Sequence, residues 1–251
     1  MMNRNVIGDV YQLGECVHGE GKHEAVRVYV MLNEGRPILI DCGSQLHRAQ
    51  IMAELDALLD GTPPKYVFLT HSELPHSGNL RKIVERWPDI QVIVSIILLK
   101  YIEIAPIMPL EQIVPVHPGT KHDFAGRELH FVNALLKDQP GSQWIYDPKT
   151  GVMFTGDGFG YYMPSASDEA FSDEAASTFH PDLFHDYHRD AFRFLRWTVP
   201  AKLNAAMDQL FGLYDVQVLA PTHGNAFRGH IPAHVEQLKA TLTQISDAYR
   251  A

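Results

Sequence analysis

The sequence predicts an α/β sandwich, two mixed sheets packed face to face with helices on the outside. Short segments of strand composition are followed by helical patterns, and this order occurs twice along the chain. With 251 residues the chain can bury a substantial core, so 1–251 is expected to form one domain built of two βα halves. Several strand exits also carry His, Asp or Glu beside small residues, as a shared site at the sheet edges requires.

In the first half, Val6 to Leu13, Ala25 to Leu32 and Pro37 to Asp41 read as strands joined by Gly-containing turns. Leu46 to Leu59 has helical spacing, with Ser44 a candidate N-cap and Gly61 a candidate stop. A strand over Tyr66 to Leu69 follows, then a helix near Asn79 to Arg86 and a strand over Gln91 to Ser95. The second half begins near Gln112. Gln112 to Val116, Gly126 to Ala134, Gln143 to Tyr146 and Val152 to Phe154 read as strands, with a hairpin turn at Pro148-Lys149-Thr150-Gly151. Helices are expected over Asp182 to Thr198 and Ala201 to Phe211. A last strand over Val216 to Ala220 precedes an amphipathic helix over Pro232 to Tyr249. Pro164 to Pro181 is a long acidic segment without periodicity, readable as a lid or as a solvated loop.

Composition narrows the partners. Hydrophobic residues make up 45% and charged residues 20%, as in ordinary globular proteins. A formal charge of −9 argues against nucleic acid or an anionic membrane as the main partner. No window reaches the roughly 20 apolar residues of a membrane span. The N-terminus lacks the apolar core of a secretion signal, so a cytoplasmic location is expected. Cys16 and Cys42 read as small buried hydrophobes rather than a disulfide.

The chemistry concentrates in Thr70-His71-Ser72-Glu73-Leu74-Pro75-His76-Ser77-Gly78-Asn79. Two imidazoles and a carboxylate fall within six residues on the turn leaving an apolar strand. Phe154-Thr155-Gly156-Asp157-Gly158 places an Asp among glycines after another strand. Ala220-Pro221-Thr222-His223-Gly224 places a His after a third, and Lys137-Asp138-Gln139-Pro140-Gly141-Ser142 carries an Asp in a loop. A strand-end His or Asp is usually a cap or turn residue. Four such elements in this order point to one metal site.

These motifs resemble the metallo-β-lactamase fold, and within it the flavodiiron branch of oxygen-binding diiron proteins. Zinc hydrolases of the fold carry H-x-H-x-D-H, flavodiiron proteins H-x-E-x-D-H. Glu73 in the second position sides with the latter. The chain departs from that pattern in two places. Pro75 stands where the branch has an Asp ligand, and Asp138 replaces the His of the middle loop, with Lys137 as the alternative equivalent. The resemblance implies that His71, Glu73 and Asp138 hold one metal, His76 and His223 the second, and Asp157 bridges them. Two Fe ions are favoured over Zn or Mn, because the donors are three imidazoles and three carboxylates. The resemblance covers only the β-lactamase-like part of a flavodiiron protein, so no fused flavin is expected. It also implies catalytic roles for Asp157 and for His18, whose His18-Gly19 pair resembles one beside the family's site. Tyr29 is a further candidate from among the aromatics close to the motif loops.

Three functions follow from this resemblance. The first is a diiron oxidoreductase or oxygenase acting on O2 or NO, taking electrons from an external donor and working as a homodimer, with a small organic substrate also open. The second is a metal-dependent hydrolase of an ester, lactone or phosphoester. The third is a non-catalytic oxygen or iron sensor. His185 and His188 read as an ordinary helical pair and Trp144 as core. Tyr161-Tyr162-Met163 is a candidate pocket wall.

Overall fold

The computed structural model describes residues 4–17, 19–102, 107–166, 169–174 and 179–250. Thirteen strands lie in two sheets among these residues. In chain order they are β1 (Arg4–Ile7), β2 (Val10–Val17), β3 (Glu24–Met31), β4 (Ile38–Ile40), β5 (Tyr66–Leu69), β6 (Gln91–Ser95), β7 (Ile113–Val116), β8 (Lys121–Phe124), β9 (Arg127–Asn133), β10 (Gln143–Asp147), β11 (Val152–Gly156), β12 (Val218–Pro221) and β13 (Phe227–Arg228). The helices are α1 (Arg48–Leu59), α2 (Leu74–Ser77), α3 (Leu80–Arg86), α4 (Pro181–Ala191), α5 (Pro200–Phe211) and α6 (Ile231–Ala248).

The first sheet runs β1 to β7 in sequence order, antiparallel through β4 and parallel from β4 to β7. Parallel neighbours need a crossover, and the segments containing α1 and α3 supply the first two. The second sheet has the order β13-β12-β11-β10-β9-β8, with only the β11–β12 pair parallel. Strand alternation explains the layering. In β5, Phe68 points between the sheets, toward Phe131, Ile145 and Phe154, while Val67 and Leu69 point outward to Ile51, Leu55 and Ile83 of α1 and α3. On the far side Val235, Leu238, Leu242 and Ile245 of α6 cover the second sheet. The expected sandwich of two sheets with helices outside is what forms.

Several boundaries differ from the expectation, each for a local reason. Val6 to Leu13 is two strands, because Gly8 at φ +55° turns the chain. Gly126 to Ala134 is the second arm of a hairpin whose first arm, β8, lacked a signal. Its turn is Ala125-Gly126, both at positive φ, with Asp123 Oδ1 accepting the Gly126 N–H at 2.8 Å. The helix expected through Thr198 ends at Ala191. Phe192 leaves helical geometry (φ −106°, ψ 67°) and is fully buried, and a 3-10 turn over Arg193–Trp197 follows. Ser44 caps a 3-10 turn over Gln45–His47, accepting the Leu46 N–H at 3.2 Å, and the expected long helix starts only at Arg48, so Ser44 is not its cap. No disulfide joins Cys16 and Cys42. In the acidic segment Phe171 is buried, and Asp173 and Glu174 each pair with Arg228 at 3.2 Å, so this part is tied to β13. Among the described residues no helix is long and apolar enough to cross a membrane.

Candidate metal centre

The exits of β4, β5, β11 and β12 and the loop entering β10 meet at one edge of the sandwich. Backbone bonds between the exits fix their spacing. Gln143 N donates to Thr70 O (3.0 Å), Thr222 N to Gly156 O (2.8 Å), and Arg27 N to Thr222 O (2.8 Å). Beside His223, Gly224 sits at φ +101°, where a Cβ would fall 2.4 Å from the Tyr161 ring. No other residue fits that turn.

The edge brings together the residues that the sequence scattered over 150 positions. Asp157 Oδ1 faces three imidazole Nε2 atoms, of His76 at 3.0 Å, His223 at 3.5 Å and His71 at 3.7 Å. Asp138 Oδ2 lies 3.2 Å from His71 Nε2. The Glu73 carboxylate completes a group with His71, Asp138 and Asp157 whose donor atoms all lie within 4.8 Å of one another. Glu73 is exposed and accepts Gln139 Nε2 at 2.7 Å, while both histidines of its loop are buried. Pro75 lines the cleft above the cluster.

A buried carboxylate that sequence reading passed over organises this arrangement. Asp41, at the exit of β4, accepts the Thr70 N–H and hydroxyl (both 2.8 Å), the Thr222 hydroxyl (3.2 Å) and His76 Nδ1 (2.7 Å). Because Nδ1–H is given to Asp41, Nε2 of His76 is the atom turned toward Asp157. His223 is oriented the same way, its Nδ1 lying 2.9 Å from Ala25 O and 3.0 Å from Glu24 Oε1. The available signal was positional, a carboxylate directly after the fully buried run Ile38–Ile40.

Electrostatics mark the cluster as built for a cation. His71 Nε2, His76 Nε2, Asp138 Oδ2 and Asp157 Oδ1 are buried with no hydrogen-bond partner outside the cluster, a costly state unless something else engages them. Burial would lower the His76 imidazole, but Asp41 and Asp157 outweigh it and hold it up at about 9. Burial and the His76 charge push His71 down to about 4. Burial and the Asp157 charge lift Asp138 to about 6. Asp157 is held well below the carboxylate range, since His71, His76 and His223 overcome the burial that opposes them. A bound cation would take the place of these protons. The donor geometry and the unmet buried atoms fit a metal.

The remaining candidates fall elsewhere. Tyr29 is a correction, because strand alternation in β3 points it into the core between the sheets, beneath the cleft. Its hydroxyl donates to Pro221 O at 2.7 Å and its ring meets Phe154 edge-on, so it supports the β12 exit and cannot touch a ligand. Burial raises its phenol far above the usual range. His18 lies outside the described residues. Of Tyr161-Tyr162-Met163, Tyr162 lines the cleft, while Tyr161 and Met163 belong to the core with Trp144. His188 is buried with Nδ1 donating to Phe184 O at 2.8 Å, and takes no part in the cluster.

Comparison with known proteins bears on this geometry. The sequence signature of the Metallo-beta-lactamase superfamily matches residues 22–199. The chain belongs to this superfamily. It is 27% identical over 202 residues to diflavin flavoprotein A 1 of Synechocystis sp., covering 80% of this chain and 34% of the relative. It is 25% identical over 199 residues to the anaerobic nitric oxide reductase flavorubredoxin of Aliivibrio salmonicida, covering 79% and 39%. The chain thus spans about a third of the length of these relatives. Among solved structures, the flavodiiron protein from Giardia intestinalis superposes with a TM-score of 0.80 at 18% identity, over 99% of this chain and 60% of that one. The rubredoxin oxygen:oxidoreductase of Desulfovibrio gigas gives 0.79 at 17% identity, over 99% and 62%. Both structures share the metallo-β-lactamase fold of this chain.

Proposed function

We propose that this metallo-β-lactamase domain holds two iron ions and acts as an oxidoreductase or oxygenase on O2 or NO, as a homodimer with electrons from an external donor. The observation that carries the reading is Asp157 Oδ1, faced at once by Nε2 of His71, His76 and His223. In this reading His71, Glu73 and Asp138 hold one ion, His76 and His223 the other, and Asp157 is shared. Two ferrous ions, when bound, supply electrons and open coordination positions to a diatomic molecule.

The chain's own residues set what that pair can do. Asp41 and Glu24 fix the two imidazoles of the second position through their Nδ1 atoms. Three carboxylates among six ligands favour iron over zinc, and Glu73 in place of a second imidazole sets the site apart from hydrolases of the fold. Pro75 contributes no ligand, so the second position would have three protein donors, and Pro75 lines the cleft beside them. Tyr187, whose ring lies 5.6 Å from that of His223, forms part of the wall there.

Anaerobic purification with metal analysis, followed by exposure to O2, tests the proposal. About two irons per chain and a new visible absorption band on exposure are expected. About two zincs, no response to O2 and turnover of an ester panel would replace it with the hydrolase. In the same assay Asp138→Ala is expected to lose iron, and full iron content would remove Asp138 from the ligand set.

A further inference from the structure

The donors around Asp157 differ in chemistry from one side of it to the other. On one side the carboxylates of Glu73, Asp138 and Asp157 form a group with His71 whose donor atoms lie within 4.8 Å of one another, three oxygens to one nitrogen. On the other side Asp157 Oδ1 meets Nε2 of His76 at 3.0 Å and of His223 at 3.5 Å, two nitrogens to one oxygen. His71 also forms a group with His76 and Asp157, and its ring lies 3.6 Å from that of His76. Counting His71 with the second set makes the first all carboxylate and the second richer in imidazole. The contrast therefore does not depend on where His71 is assigned.

Both departures from the H-x-E-x-D-H pattern act in this direction. Asp138 puts a carboxylate where the pattern's middle loop has an imidazole, and Pro75 removes a carboxylate from the other set. Neighbouring groups hold the donors in these roles. Asp41 takes His76 Nδ1 at 2.7 Å and Ala25 O takes His223 Nδ1 at 2.9 Å, so both rings present Nε2. Ser142 Oγ donates to Asp138 Oδ1 at 3.0 Å. That leaves Oδ2, buried and without a partner outside the cluster, 3.2 Å from His71 Nε2.

Divalent ions respond to such a difference. A given set of nitrogen and oxygen donors generally binds Fe2+ more tightly than Mn2+, but imidazole suits iron while carboxylate suits manganese, so the gap narrows where oxygen dominates. We infer that the two positions differ in metal selectivity: the Glu73–Asp138 position accepts Mn2+ in competition with Fe2+, and the His76–His223 position keeps Fe2+. This deepens the proposed function, on which it rests for the division of ligands between two ions. Iron supplied alone fills both positions, and manganese supplied with it gives a mixed pair.

Metal-depleted protein is loaded without oxygen, either with Fe2+ alone or with Fe2+ and about a tenfold excess of Mn2+. Each sample is then desalted and analysed for both metals, with EPR for Mn2+ and circular dichroism for the fold. Iron alone is expected to give about two irons per chain, and the mixture about one iron and about one manganese. The Mn2+ signal should be altered by its paramagnetic neighbour. Glu73 is exposed, so the fold should not depend on it. Glu73→Gln is expected to lose most of the manganese and keep the iron. Asp138→His exchanges carboxylate for imidazole and should turn the mixed loading back into about two irons. Two irons in the parent's mixed loading, or manganese in both positions, would overturn the inference. So would manganese that falls equally in Glu73→Gln and His223→Gln. Two irons from iron alone, with no manganese from the mixture, sink this inference and leave the proposed function. No iron in either loading fails the proposed function itself, and the inference with it.

Discussion

Replacing Asp157 with asparagine is expected to reduce iron from about two per chain to below about one. Its Oδ1 is the atom nearest to all three inward-facing imidazoles, so in the proposed site it is the only ligand common to both ions. Asparagine keeps the shape but removes the charge. A neutral amide oxygen is a weak ligand beside imidazoles, and unlike a carboxylate it brings no charge to offset the repulsion between two cations. Losing one of six ligands elsewhere affects one ion, whereas losing Asp157 affects both. The fold should survive, because Asp157 belongs to an edge loop and to none of the three hydrophobic clusters. Metal analysis and circular dichroism on the same preparation check both halves. Two irons retained in a folded variant would exclude Asp157 as the shared ligand.

The second large effect concerns stability. Arg127, at the start of β9, is buried and pairs through two nitrogens with the fully buried Asp147 (2.9 and 2.5 Å). Its remaining nitrogen reaches both oxygens of Asp9 (2.9 and 2.8 Å), in the turn between β1 and β2 of the other sheet. One guanidinium therefore clamps the two sheets at the end of the sandwich away from the metal centre. Arg127→Leu leaves the Asp147 carboxylate buried without its cation, and a loss of about 3–5 kcal/mol is expected in chemical denaturation. Replacing both, as in Arg127→Leu with Asp147→Leu, should recover part of that loss. Metal content of whatever remains folded should not change. A loss below about 1 kcal/mol would show that the clamp does not matter.

The pH dependence of that difference follows from Asp9. Burial would raise its carboxyl, but the Arg127 guanidinium outweighs this and holds it below the usual range. A group depressed in the folded state stabilises the protein fully above its unfolded value of about 3.9, and the contribution fades as pH falls through the folded value. The gap between parent and Arg127→Leu should therefore be constant near neutrality and narrow below about pH 4. A gap that widened in acid would contradict the assignment.

The molecule was legible where chemistry and periodicity coincide. His71, Asp157 and His223 stand at the exits of apolar strands and His76 in the short helix α2 that follows the first of them, and the alternation that buries Phe68 on one face and Val67 on the other carries the chain to a common edge. Asp41 escaped notice because it forms no motif with its neighbours. Its role appears only when the exits of β5 and β12 are adjacent to it, and sequence spacing does not encode that adjacency. Tyr29 failed for the complementary reason. Proximity of an aromatic to the motif loops says nothing about which face of a strand it occupies, and β3 turns it into the core. The helix break at Phe192 was also invisible, since no Gly or Pro marks it. A buried aromatic overrides helical continuation there, and that break places Arg193 and Phe194 on the cleft lip.

The central claim is a pair of metal ions sharing Asp157, and Mössbauer spectroscopy of the iron-reconstituted, air-oxidised protein tests it most directly. The account predicts two ferric sites with a spin-coupled, diamagnetic ground state that Asp157→Asn abolishes. A single uncoupled high-spin ferric site in the parent protein, indifferent to that substitution, would contradict it.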